Sequence, residues 1–192
     1  MKPVRGNLKL RMWGGALALC LLGQGAWPAG AAATGPSLEL AVKAAYLAKF
    51  APFVVWPEAT FAGPTTPLTL CVQGDDPFDG MLDRLIVGQT VGSHPVVVRR
   101  LSRLDPDSGC QIAYLAGSSA QSAAAAVKAV EGQPVLTVTD DDGAGAGASS
   151  RGIVRLLLVG GRVRFVIDAE RAAQSHLGVS SKLLALAVEV KR

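Results

Sequence analysis

Along residues 38–55 the side chains alternate at helical steps. Leu38, Val42, Ala45, Tyr46 and Lys49 fall on one such row, and Leu47, Phe50 and Val54 on another, so the pattern predicts a helix with a broad apolar face. Ser37, after Pro36, is the expected N-cap. Pro52 lacks a backbone donor and should kink or end the regular part before Trp56-Pro57 closes the segment. Residues 68–73 alternate with period two and predict a strand. Asp75 or Asp76 should then cap a short helix over 78–86, with Pro77 at its first position. Residues 95–101 predict a second strand, 105–109 a turn, and the nearly all-apolar 110–116 a central strand. Ser118 or Ser119 is the expected cap of an alanine-rich helix through Val130, stopped by Gly132. A strand over 134–139 follows, and then a loop over 140–150 expected to be the most mobile part of the chain. Residues 153–159 and 162–167 form a hairpin around Gly160-Gly161, and 169–190 is mostly helical with a break near Gly178 and a new cap at Ser180.

This order of elements predicts an α/β fold: a mostly parallel sheet with helices on both faces and a C-terminal antiparallel hairpin. Residues 1–33 do not fit the scheme. Lys2, Arg5, Lys9 and Arg11 precede an apolar run over 13–22 and a tract of small residues ending at Ala33, the pattern of a secretory signal peptide. The run is short for a bilayer span, which takes about 20 residues. The expected organisation is therefore a signal peptide over 1–33 and a single domain over 34–192, with cleavage after Ala33. Those four basic residues account for the whole formal charge of +4. The remainder is neutral and offers no field for a phosphate backbone, so no nucleic-acid partner is expected.

Export leaves two of the three cysteines, Cys71 and Cys110. In an oxidising compartment two such residues commonly pair; two buried thiols are the alternative. No Cys or His lies at metal-ligand spacing from either, and no metal or cofactor is expected. The Gly145–Ser150 stretch lacks the third glycine and the following helix of a dinucleotide loop. Asp140-Asp141-Asp142 lacks the alternating spacing of a calcium loop. His94 and His176 stand alone, no Gly-x-Ser-x-Gly elbow occurs, and the chain is not expected to be an enzyme. Arg162 and Arg164 share one strand face, an ordinary solvated face or a place for an anionic ligand or a partner carboxylate.

Several blocks together resemble the YfiR family of periplasmic regulatory proteins. They are Ala44-Ala45-Tyr46-Leu47-Ala48-Lys49-Phe50 running to Trp56-Pro57; Leu70-Cys71-Val72-Gln73-Gly74-Asp75-Asp76-Pro77-Phe78; Gly109-Cys110-Gln111-Ile112-Ala113-Tyr114-Leu115; Val135-Leu136-Thr137-Val138-Thr139-Asp140; and Gly161-Arg162-Val163-Arg164-Phe165-Val166-Ile167 with Val179-Ser180-Ser181-Lys182-Leu183-Leu184. The resemblance implies a periplasmic α/β domain, commonly a homodimer, that binds the periplasmic part of an inner-membrane diguanylate cyclase. It restrains the enzyme and so lowers cyclic di-GMP and biofilm formation. An OmpA-like outer-membrane lipoprotein that sequesters the regulator is a second implied partner. The family's cysteine pair maps onto Cys71 and Cys110. Pro52 and Asp168 depart from the family pattern and bear on partner choice.

Three readings follow. A binding regulator would dock a partner or a second copy through Tyr46, Phe50, Phe53 and Trp56. A small-molecule sensor would use a crevice at the carboxyl ends of the strands, lined by Asp75, Asp76, Ser118, Ser119 and Asp140. A small hydrolase would need Ser118 or Ser180 beside a histidine.

Overall fold

The structure is a computed structural model and describes residues 35–141 and 151–192. The proposed signal peptide and the loop over 142–150, including the Gly145–Ser150 stretch and Asp142, lie outside the described residues. All described residues fall within one compact unit, Ala33–Arg192.

The chain runs through α1 (Gly35–Phe50), a 3-10 turn (Ala51–Phe53), β1 (Val54–Val55), a second 3-10 turn (Glu58–Thr60), β2 (Leu68–Gly74), α2 (Met81–Ile86), β3 (Thr90–Val91) and β4 (His94–Leu101). A third 3-10 turn (Pro106–Ser108) precedes β5 (Ile112–Gly117), α3 (Ala123–Ala129), β6 (Leu136–Asp141), β7 (Val154–Val159) and β8 (Arg162–Asp168). The end is α4 (Ala169–Gln174), β9 (Gly178–Val179), α5 (Ser181–Leu184) and β10 (Glu189–Lys191). An eight-stranded sheet has the order β10-β8-β7-β6-β5-β2-β4-β3, and β1 with β9 forms a separate two-stranded ribbon. The pairings β4-β2-β5-β6-β7 and β8-β10 are parallel, whereas β7-β8 and β3-β4 are antiparallel. The fold class is the one expected: a mostly parallel sheet closed by an antiparallel hairpin. Gly160 and Gly161 both have positive φ, 56° and 73°, which the two-residue hairpin turn requires.

Alternation along the central strands sorts the core into two layers. Leu70 and Val72 of β2, Ile112 and Tyr114 of β5, and Leu136 and Val138 of β6 pack with Leu47 and Phe50 of α1. The intervening Cys71, Ala113 and Leu115 pack with Ala126, Val127 and Val130 on the α3 side. In that second layer Cys71 and Cys110 form a disulfide, with an S–S distance of 1.95 Å and a sequence separation of 39. The bond joins β2 to the start of the neighbouring β5.

Helix starts differ from expectation in three places. Ser37 falls inside α1. Asp76 accepts from Phe78 N (2.8 Å) in a local turn, and Gly80 at φ 70° holds the chain out of helix until Met81. Ser118 is drawn into a turn of its own, with its amide on Gln121 O and its hydroxyl on Ala120 N, so the cap of α3 is Ser122, whose side chain accepts from Ala125 N. The C-terminal region is less helical than its periodicity predicts. Ser180 caps α5 as expected, but residues 178–179 pair with β1 and 189–191 extend the main sheet beside β8. Backbone pairing with distant strands outweighs local propensity there.

Candidate functional site

Helix α1 turns one face inward and keeps a second apolar row outside. Ala44, Leu47 and Ala48 are buried, while Leu38 is 60% exposed. Tyr46 stacks on Phe50 at 6.0 Å, and both rings meet Phe165 of β8 edge-on at 5.4 Å. The Tyr46 hydroxyl reaches over the sheet edge to Val163 O (3.4 Å). Two of the four expected docking aromatics are core residues. Phe50 is 1% exposed, and Trp56 is 8% exposed with its indole N–H donated to Gln111 O (3.2 Å). Burial of these rings stabilises the junction of α1 and the sheet and removes them from the surface. Tyr46 and Phe53 remain half-buried and line an apolar groove between α1 and Leu183 and Leu186, with Phe165 as its floor. Leu186 is 65% exposed on its rim. Beside Leu38 and Val42 the groove continues to Leu158 and Val163 of the hairpin.

Beneath α1 lies a charged group that the residue pattern did not reveal. Lys43 is 8% exposed, and its ammonium contacts Glu39 (2.6 Å) and Asp140 (2.9 Å). The same Asp140 oxygen accepts from the Tyr114 hydroxyl (2.7 Å). Burial works against the charge on Lys43, but hydrogen bonds and attraction from Glu39 and Asp140 prevail and raise its pKa above the ordinary 10.5. The signal available in the sequence was a lysine interrupting the buried stripe of a helix, four residues after a glutamate. Through Asp140, α1 is tied to the carboxyl end of β6, where the undescribed 142–150 segment begins.

The proposed crevice sits at a topological switch point. From β2 the chain goes out to β4 on one side, and β5 returns on the other. The structure does bring Gly74-Asp75 and Gly117-Ser118 together, but so closely that a Cβ on Gly74 would stand 2.2 Å from Gly117 O. Asp75 N donates to Gly117 O (3.1 Å) and Ser118 N to Gln121 O (3.0 Å), so amides that could cradle an anion are already used. Asp76 accepts from Arg100 (2.8 Å), which also forks onto Asp83 (2.5 and 3.0 Å). The Arg100 hydrogen bond lowers the Asp83 pKa, and the same contacts raise that of Arg100. Ser119 is exposed, and Asp140 turns away toward α1.

The groups proposed for hydrolysis are engaged elsewhere. Ser180 accepts from Leu183 N (3.4 Å), and His94 stacks on Phe61 at 4.0 Å while donating to Thr66 O (2.7 Å). Neither Ser118 nor Ser180 is hydrogen-bonded to a histidine among the described residues. Asp168, the departure noted in the sequence, caps α4 by accepting from Arg171 N (3.0 Å) and pairs with Lys191 at 3.6 Å. Among the described residues no group of His, Cys, Asp and Glu is arranged to hold a metal, and no helix is long and apolar enough to cross a membrane.

No curated protein matches the chain. The model of the YfiR/HmsC-like family matches residues 40–188, a span that runs from α1 to the approach to β10 and takes in both cysteines and the groove. With that match over most of its length, this chain belongs to the YfiR/HmsC-like family, whose members are periplasmic regulators of cyclic di-GMP signalling rather than catalysts.

Proposed function

We propose that this protein is exported by a signal peptide over residues 1–33 and acts in the periplasm as a negative regulator. It binds the periplasmic part of an inner-membrane diguanylate cyclase and holds the enzyme in a low-activity state. The observation that carries the reading is the family match over 40–188. The apolar groove along α1 supports it, because exposed Leu38 and Leu186 beside half-buried Tyr46 and Phe53 give a contiguous surface of the kind that protein partners cover. A homodimer, and an OmpA-like outer-membrane lipoprotein that removes the regulator from the cyclase, complete the proposal.

The test is genetic. Deleting the gene should raise cellular cyclic di-GMP and restoring it should return the level to normal; no change on deletion would overturn the role. Leu186→Glu places a charge in the groove at an exposed position, so the protein should fold with an unchanged melting temperature and yet fail to restore the low level. Full restoration by Leu186→Glu would remove the groove from the reading.

A further inference from the structure

Strand β4 is paired on one side only for most of its length. Its inner edge runs parallel to β2 from Val96 to Leu101. On the outer edge β3 covers only His94 and Pro95, and Val96 N donates to Gln89 O (3.0 Å) just ahead of β3. Along a strand the N–H and C=O of one residue point to the same side, and successive residues alternate sides. Val96 faces outward, so Val98 and Arg100 do too, and among the described residues nothing meets their main-chain groups on that side. Exposure agrees: Val98 is half-buried, and Arg99 and Arg100 are exposed.

The two flanks of this edge differ in chemistry. Val98, level with Leu70, lies on the side of α1 and α2. There Asp76 and Asp83 already neutralise Arg100, and Leu85 and Val87 stand exposed where the chain leaves α2 for Gln89. On the other flank Arg99, level with Cys71, donates to Ser108 O (2.5 Å), and Arg103, just past the strand, to Ala120 O (2.5 Å). Neither guanidinium has a carboxylate partner among the described residues.

We propose that the free edge of β4 over 97–101 receives an extended segment of a partner protein as an added strand, in line with β3, and that the segment alternates acidic and apolar residues. The inference goes beyond the α1 groove, and it does not rest on the cyclase being the partner. An added strand presents its side chains alternately to the two faces of the sheet. Those beside Arg99 meet a cation that lacks a counter-charge, which selects a carboxylate. Those beside Val98 lie on the face that carries Leu85 and Val87, where apolar groups fit. Charge decides against a second copy of this chain: the free stretch is centred on Arg99, so antiparallel pairing of β4 with itself would set one Arg99 directly against the other. Charges on an edge strand also discourage indiscriminate pairing. Main-chain hydrogen bonds supply the attraction and the alternation supplies the selectivity, as in other cases of strand addition.

The test uses the mature chain and blocked synthetic peptides. Glu-Val-Glu-Val-Glu should bind, shifting the amide resonances of Val98 and Arg100 and slowing their hydrogen exchange. Lys-Val-Lys-Val-Lys, and the acidic peptide N-methylated at alternate backbone nitrogens, should bind at least about tenfold more weakly. Arg99→Glu with Arg103→Glu changes two exposed side chains, so this variant should melt with the native protein and reverse the preference between the acidic and basic peptides. Equal binding of the two peptides, or Val98 and Arg100 amides that the acidic peptide leaves unmoved, would overturn the proposal. Shifts of the same amides with protein concentration alone would place a second copy at the edge and overturn it as well. The peptides read the edge without the cyclase. A deletion that leaves cyclic di-GMP unchanged would therefore remove the regulator and not the edge, and failed peptide binding would remove the edge and not the regulator.

Discussion

Lys43 is a cation on the buried side of a helix, and its environment determines what removing it costs. Lys43→Ala would leave Asp140 and Glu39 without their shared counter-charge beneath α1. Breaking a buried pair on one side costs about 3–5 kcal/mol, and the partial exposure of both carboxylates brings the expectation here to about 2–3 kcal/mol, readable as a fall in urea midpoint at unchanged slope. The pKa shifts give the pH dependence its sign. Lys43 is raised in the folded state, so its contribution is complete below pH 10.5 and is lost as pH climbs through the raised value. Asp83 is lowered from 3.8 by Arg100, so its contribution is present above that pH and is lost as pH falls through the lower folded value. Melting temperatures of native protein and Asp83→Asn should therefore converge as pH falls below the ordinary aspartate range; a difference that stays constant on acidification would show that the pair contributes nothing. The exposed position of Asp83 keeps the expected separation small. Neither charge group was legible from spacing alone, because Arg100, Asp76 and Asp83 meet only when β4, α2 and the end of β2 pack together.

At the scale of elements, the contact of β2 with β5 is the most constrained. Gly74 has φ 88° and Gly117 φ 76°, a backbone region that favours glycine, and a Cβ on either would fall within 3 Å of backbone atoms. Gly74→Ala should cost several kcal/mol, since the obstacle is main chain and cannot turn aside; thermal unfolding would show it, and a melting point within a degree of native would refute the close contact. The Cys71–Cys110 bond ties the same two strands. Closing a loop of this size stabilises by about 3–4 kcal/mol in the chain-entropy model. Cys71→Ser should then lower the melting temperature by roughly 6–16 °C for a domain of this size. An unchanged melting curve would mean that the sheet holds this edge without the link. The hairpin β7-β8 and the strands β2, β4, β5 and β6 were legible because period-two alternation and Gly160-Gly161 are local signals. β1, β9 and β10 were not, since strands of two or three residues carry no period and exist only through their partners.

For the whole molecule, the sheet order determines which surfaces remain for function. α1 and α3 cover opposite faces of the central strands, and the switch point between β2 and β5 is closed by their own backbone. What stays open at the hairpin end is the groove along α1 and the exposed Leu38, Leu158 and Leu186. These features suit contact with another protein better than capture of a small molecule. The candidate site was accordingly half legible. Tyr46 and Phe53 are half-buried and line the groove, whereas Phe50 and Trp56, equally aromatic and in the same segment, are buried by β8 and by Gln111.

By itself the sequence determined the layered α/β plan, the family, and that regular helix breaks off around Pro52, and it made Cys71 and Cys110 the candidates to pair, because each is written in local periodicity, in composition or in ordered blocks. The tertiary structure alone decided which aromatics are core, how closely Gly74 and Gly117 approach, and that Lys43 is held by Asp140 from ninety-seven positions away. Those outcomes depend on which strands become neighbours, and strand adjacency is a property of the packed chain that no single stretch of it carries.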